Sequence, residues 1–212
     1  MNRISGIIFD LDGVIVSTDK YHYLAWKQLA DREGIYFDEI INNRLRGVSR
    51  MQSLEIILER ADREYNSDEK TEMATFKNEA YKKLLNLLTP EDRLSGVTET
   101  LEYLKRKGIK IAIGSSSKNA PFILKQIGLD GYFDAVSDGN NITHSKPDPE
   151  VFLKAAEMLN LSPKNCMIVE DALAGIDAGL AGGFDTVAVG DAVSHPQAKY
   201  KLNVISELCD LV

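Results

Sequence analysis

The chain has 212 residues, 44% hydrophobic and 27% charged, an ordinary mix for a folded globular protein that excludes a disordered one. Lys and Arg number 25 against 32 Asp and Glu, and the net charge of −7 argues against a nucleic-acid binder while leaving room for a local basic pocket. The two cysteines form no zinc framework and point to a reducing compartment, and no apolar run approaches the ~20 residues of a membrane span. The expectation is a cytoplasmic protein with neither a membrane nor a nucleic acid as partner.

Ile4 to Phe9 is a nearly continuous apolar run, which suits a strand covered on both faces. Asp10 and Asp12 cut it, which is wrong for a signal peptide. No strand is predicted from Asp19 to Leu88. Tyr21 to Ala30 has helical spacing of its apolar residues. Ser49 to Gln52 reads as a capping box ahead of Leu54, Ile57 and Leu58. Met73, Phe76, Ala80, Leu84, Leu87 and Leu88 form a further helical stripe. Helical and strand signals then alternate. Thr98 to Lys107 is a helix stopped by Gly108, Ile109 to Ile113 a strand, and Phe122 to Ile127 a helix. A weaker strand at Phe133–Val136 and a helix from Val151 to Leu159, behind Pro149, come next. Cys166–Val169 and Thr186–Val189 are the last strands. The fold class predicted is α/β, a doubly wound Rossmann-like parallel-sheet core with an inserted all-helical domain. The core takes residues 1–17 and 89–212, the insert residues 18–88.

Chemistry-bearing residues gather at strand ends, where open α/β sheets bind ligands. Asp10 and Asp12 follow the first strand, and Gly13 permits a sharp turn. Such carboxylates can be a nucleophile or metal ligands, although Asp-x-Asp-Gly also occurs in calcium loops and plain turns. Ser115, Ser116 and Ser117 end the next strand and offer hydroxyl and N–H donors for a phosphate. Taken singly they read equally as a turn or cap. Lys146 lies in a stiff loop between Ser145 and Pro147; a lone lysine is usually a solvated charge. Glu170 and Asp171 end a further strand and could equally cap a helix. Their order decides: acid pair, hydroxyl, lysine, acid pair. One sheet edge would then hold carboxylates for a hard cation beside phosphate donors, a set that fits Mg²⁺-assisted phosphoryl transfer.

In these four motifs, Asp10-Leu11-Asp12-Gly13, Ser115, Lys146 and Glu170-Asp171, the sequence resembles the haloacid dehalogenase-like phosphotransferase superfamily. Within it, Thr18, Tyr21, His22, Ala25 and Trp26, with Arg46, Gly47, Val48, Ser49, Arg50, Ser53 and Leu54, are similar to the helical cap of the β-phosphoglucomutase family. Ser117, Lys118 and Asn119, with Ser145-Lys146-Pro147, also resemble that family. The resemblance fades after Gly190.

The resemblance implies that Asp10 attacks a phosphoryl group and forms an aspartyl phosphate, and that Asp12 is the general acid/base. It implies that the side chains of Asp10 and Asp171 and the backbone carbonyl of Asp12 bind Mg²⁺, with support from Glu170. Ser115 and Lys146 would hold the transferring phosphoryl oxygens. Arg50 would clamp the distal phosphate with Ser117, Lys118 and Asn119, a post that suits the planar guanidinium fork. Thr18, His22, Trp26 and the loop Arg46-Gly47-Val48-Ser49 are the further substrate-binding candidates. The implied reaction interconverts β-glucose 1-phosphate and glucose 6-phosphate through β-glucose 1,6-bisphosphate, with cap closure excluding water. The alternative is a Mg-dependent sugar-phosphate phosphatase on the same fold; a non-catalytic phosphosugar binder would need neither Asp10 nor Asp12. The implied state is a monomer acting on small sugar phosphates. Three positions depart from the family pattern: Arg46 in place of Lys, Ala172 in place of Ser or Thr, and Ser95 in place of Pro. Read by composition alone, Trp26 is core, Cys166 an inert small apolar residue, and His144 a surface residue. His195 is assigned no role.

Overall fold

The computed structural model describes residues 4–45 and 48–212. Strand β1 (Gly6–Phe9) is followed by four helices, α1 (Asp19–Glu33), α2 (Glu39–Asn43), α3 (Arg50–Leu58) and α4 (Ser67–Leu85). Helices and strands then alternate: α5 (Val97–Arg106), β2 (Lys110–Gly114), α6 (Ala120–Gln126), β3 (Ala135–Ser137) and α7 (Glu150–Met158). The chain ends with β4 (Cys166–Glu170), α8 (Leu173–Ala181), β5 (Asp185–Ala188), β6 (Tyr200–Lys201) and a 3₁₀ turn at Ile205–Leu211. Two compact units result. One comprises the chain up to Ser17 with Thr89–Val212, the other Thr18–Leu88.

The first unit is built on a parallel sheet in the order β3-β2-β1-β4-β5-β6. This is a doubly wound Rossmann-like order, and it reverses direction between β1 and β4. Ile8, Ala112 and Ile168 face one way and pack with Val151, Phe152 and Ala155 of α7 and Ala178 of α8. Their neighbours Ile7, Ile111 and Met167 fall on the opposite face by the strand's two-residue period, and α5 packs on β2. Every residue of β1 is buried, as its unbroken apolar run requires. Phe9 pairs with both Ile113 and Val169, so Asp10, Gly114 and Glu170 emerge at one level of the sheet.

The second unit is helical, with a core of its own formed by Trp26, Leu29, Phe37, Leu54, Ile57 and Met73. The capping box expected at the start of α3 is present: Gln52 N–H donates to Ser49 Oγ at 3.3 Å and Ser49 N–H to Gln52 Oε1 at 3.0 Å. The stripe on α4 differs from the expected one. The helix ends at Leu85, so Leu87 lies in the turn beyond it and is 63% exposed, while Lys77 and Tyr81 take buried places on the helix. Among the described residues no helix is long and apolar enough to cross a membrane.

Candidate active site

Strand register creates the site. Asp10 N–H donates to Val169 O at 2.9 Å, carrying the β1–β4 ladder one residue past the strand. The chain then turns back: Gly13 N–H donates to Val16 O at 2.7 Å, and Ile15 and Val16 N–H both reach Leu11 O. Gly13 has φ +89, and a Cβ there would lie 2.0 Å from Asp171 Oδ2, so only glycine fits this turn. The reversal of strand order between β1 and β4 opens a crevice at their carboxyl ends. Asp10 follows one of these strands, and Glu170 and Asp171 stand at the end of the other.

Asp10, Glu170 and Asp171 each offer a carboxylate oxygen, all within 4.8 Å of one another. Lys146, 8% exposed, reaches in from the β3–α7 loop and donates to both Asp10 Oδ1 and Glu170 Oε1. Glu170 Oε2 accepts the Ala172 N–H at 2.8 Å, the contact that stands at the residue lacking a hydroxyl. A Cβ on Gly175 would fall 1.8 Å from Glu170 Oε1, so that glycine lets the first turn of α8 close over the carboxylate.

Burial raises Asp10 to about 7; Lys146 opposes the shift, and the charges of Glu170 and Asp12 reinforce it. Burial, with the charges of Asp10, Glu170 and Asp12, raises Asp171 to about 8. Burial pulls Lys146 down, but Asp10 and Glu170 outweigh it and the ammonium is held above its ordinary value. Like charges at about 4 Å repel by about 4 kcal/mol at an effective dielectric of 20, so one ammonium does not relieve three crowded carboxylates. Oxygen donors in this number and crowding fit a hard divalent cation.

The β2 end supplies hydroxyls. Ser115 is 3% exposed, and its N–H donates to Ser137 O at 3.0 Å. Ser115 Oγ accepts from Ser117 N–H and Ser117 Oγ from Asn119 N–H, each at 3.2 Å. Asn119 is buried, Lys118 exposed, and Ser116 Oγ is a buried hydroxyl with no hydrogen-bond partner among the described residues.

In the helical unit, Thr18 precedes α1 and is fully buried, with its Oγ1 2.8 Å from Tyr81 OH. The His22 ring packs on Tyr81 at 4.1 Å between centroids, tilted by 35°. Lys77 Nζ lies 2.8 Å from His22 Nδ1 and over the rings of Trp26 and Tyr81, at 4.8 and 4.5 Å. With Lys77 in its ammonium form, which can only donate, Nδ1 is the acceptor and the ring proton falls on Nε2. Burial, with the positive charges of Lys77 and Arg50, holds His22 well below its ordinary pKa. Trp26 is 2% exposed and belongs to the unit's core. Arg50 opens α3, half-buried, with Val48 and Ser49 just before it. Arg46 and Gly47 lie outside the described residues.

The structure therefore brings Asp10, Lys146, Glu170 and Asp171 into one cluster, with Asp12 close enough for its charge to act on two of them. Sequence reading missed Lys77. Its signal was a lysine on the apolar face of α4, one residue after Phe76.

A family model for haloacid dehalogenase-like hydrolases matches residues 4–183. The chain is 46% identical over 189 residues to the β-phosphoglucomutase of Bacillus subtilis, covering 88% of this chain and 84% of that protein. It is 32% identical to the fructose-1-phosphate phosphatase of Escherichia coli, covering 88% of this chain and 97% of that one. Among solved structures, that of a β-phosphoglucomutase from Clostridium difficile superposes with a TM-score of 0.90 at 40% identity, covering 97% of this chain and 93% of the other. By the family-model match over residues 4–183 and the 46% identity to the B. subtilis protein, the chain belongs to the haloacid dehalogenase-like hydrolase family.

Proposed function

We propose that this protein is a β-phosphoglucomutase that interconverts β-glucose 1-phosphate and glucose 6-phosphate. The observation that carries the reading is the 46% identity, over most of both chains, to the B. subtilis protein of that name.

In this reading Asp10 is the nucleophile and carries the phosphoryl group as an aspartyl phosphate. In the first transfer Asp12 takes the proton of the sugar C6 hydroxyl as its oxygen attacks phosphorus and the bond to Asp10 breaks. β-Glucose 1,6-bisphosphate results. After the sugar turns over, Asp10 attacks the phosphorus at C1, the bond to the C1 oxygen breaks, and Asp12 returns the proton to that oxygen. Glucose 6-phosphate leaves. Ser115 and Lys146 hold the moving oxygens, and the buried setting strengthens both contacts. Ser117, Lys118 and Asn119 of the α/β unit and Arg50 of the helical unit are the candidates for holding the phosphate that is not transferred, and His22 and the loop 46–49 those for the sugar; Thr18 and Trp26, buried inside the helical unit, drop out of that set. The Asp10 and Asp171 side chains and the Asp12 carbonyl would hold Mg²⁺, with Glu170 in support. Magnesium, when bound, offsets negative charge on the phosphoryl group. The reading takes the enzyme as a cytoplasmic monomer acting on free sugar phosphates.

The 32% identity to a phosphatase that matches over 97% of its length supports a second reading, in which water accepts the phosphoryl group. Purified protein with Mg²⁺, β-glucose 1-phosphate and a trace of β-glucose 1,6-bisphosphate separates the two. The mutase forms glucose 6-phosphate much faster than free phosphate. Free phosphate with little glucose 6-phosphate overturns that reading in favour of the phosphatase.

A further inference from the structure

Lys146 sits in the segment 138–149, which contains neither helix nor strand, yet its ammonium meets two buried carboxylates. A loop this long holds such a position only if something anchors it. The anchor is at its far end. Glu150, in the first turn of α7, turns its carboxylate back on the loop. Oε2 accepts the backbone N–H groups of Thr143 and His144, both at 2.8 Å. Oε1 accepts Thr143 Oγ1 at 3.2 Å and Lys154 Nζ at 2.9 Å. Lys154, one turn further along α7, also donates to Asn141 O. Asn141 Oδ1 in turn accepts Asp138 N–H at 3.1 Å and Ser137 Oγ at 3.2 Å. These bonds form one connected brace from the end of β3 to the start of α7, fastened a few residues ahead of Lys146. Charge-assisted bonds of this kind are the strong ones. The Lys154 ammonium and the two N–H groups hold the Glu150 carboxyl down at about 2, so it is ionised at any working pH.

His144, Asp148 and Glu150 also gather ligand-type atoms. Both Glu150 oxygens are already engaged, one by an ammonium, and the group reads as the brace itself.

We propose that Glu150 is a positioning residue for Lys146, holding the β3–α7 loop so that the ammonium sits where a transferring phosphoryl group arrives. The inference rests on the reading of Lys146 as a phosphoryl-binding donor. Glu150 touches no reacting atom and acts only through the loop. A 1 Å misplacement of a catalytic group costs about 10²-fold in rate, and a partly loosened loop costs a fraction of that.

The test uses the full chain with Mg²⁺. In Glu150→Gln one carboxylate oxygen becomes a donor facing other donors. The expected result is kcat for glucose 6-phosphate formation down about tenfold with KM within about threefold. A calorimetric titration with inorganic phosphate in the presence of Mg²⁺ gives binding weakened about fivefold or more. Glu157→Gln, exposed on the same helix α7 and outside the brace, retains wild-type values in both assays. Glu150→Asp, charged but too short to reach the loop, gives the same pattern as Glu150→Gln and serves if the amide variant fails to fold. Glutamine and aspartate variants with both kcat and phosphate affinity within about twofold of wild type overturn the proposal. So does a fall in melting temperature alone. Absence of mutase turnover in the wild-type protein refutes the functional reading instead, and the phosphate titration still decides the role of Glu150.

Discussion

Lys146 in the α/β unit is 8% exposed and lies against two carboxylates, whereas Lys77 in the helical unit is 2% exposed and lies against an imidazole nitrogen and two aromatic rings. Both ammoniums have left water. Around Lys146 the return comes from Asp10 and Glu170, whose attraction outweighs burial and keeps the lysine charged. The partners of Lys77 include two ring faces and an imidazole lone pair, and a desolvated cation–π contact is worth about 2 kcal/mol. The difference reaches the neighbours. Lys146 tempers the crowding of acids that burial has pushed up, and Lys77 helps to push a histidine down. A buried lysine therefore has no fixed meaning; its neighbours decide how its charge is felt, by carboxylates around Lys146 and by an imidazole beside Lys77.

Lysine-to-methionine changes sharpen this contrast most. Lys146→Met removes the donor proposed for the phosphoryl group and is expected to lower kcat by about 10²–10³-fold, about the cost of losing one oxyanion-hole donor. It also strands buried carboxylates, which costs about 3 kcal/mol in the metal-free protein at pH 8 and less where they can protonate. Lys77→Met places an unbranched apolar chain among rings, so the expected loss of kcat is about tenfold and the melting temperature moves less than in Lys146→Met. The sharper readout is the His22 imidazole. With the neighbouring charge gone its pKa rises toward the ordinary 6.5 while burial still holds it lower, which nuclear magnetic resonance titration measures. Equal effects of the two changes on kcat and stability would erase the distinction between the units.

The pH dependence of stability is a smaller effect with a definite sign. Asp10 and Asp171 ionise near 7 and 8 in the native protein but near 3.8 when unfolded. Between those values the native state holds more protons, so metal-free protein gains stability as the pH falls from 8 to 6.5. Below 6.5 His22 works the other way, because the unfolded chain takes up a proton that the buried ring does not, and the gain flattens. Glu150, ionised down to about 2, contributes nothing to this window, since its stabilisation is lost only below its ordinary 4.5. Melting curves without metal should rise by a few degrees from pH 8 to 6.5. Excess Mg²⁺ should raise them most at pH 8, where protons compete least. A metal-free profile that is flat or inverted over that range contradicts the crowded-carboxylate description.

The central strands and the separate helical stretch were legible because buried strands give unbroken apolar runs and the insert gives helical spacing. The acidic and hydroxyl residues at strand ends were legible for the same reason, since strand position locates the carboxyl edge. Strand β6 was not, because two residues at a sheet edge carry no pattern. Helix α8 escaped because its Gly and Ala residues serve close approach, over Glu170 and against Thr186, and leave no polar face to give a period. Leu87 was misread because a periodic stripe does not reveal where α4 stops. Lys77 and Glu150 were hidden for a common reason: a charged residue in sequence looks solvated, and only three-dimensional partners show otherwise.

The proposed mechanism requires Asp10 to carry the phosphoryl group. Protein mixed with Mg²⁺ and β-glucose 1,6-bisphosphate, quenched in acid and digested, should yield the peptide containing Asp10 with the mass of one added phosphoryl group, and Asp10→Asn should yield none. Turnover with no such adduct, or the phosphoryl group on another residue, contradicts it.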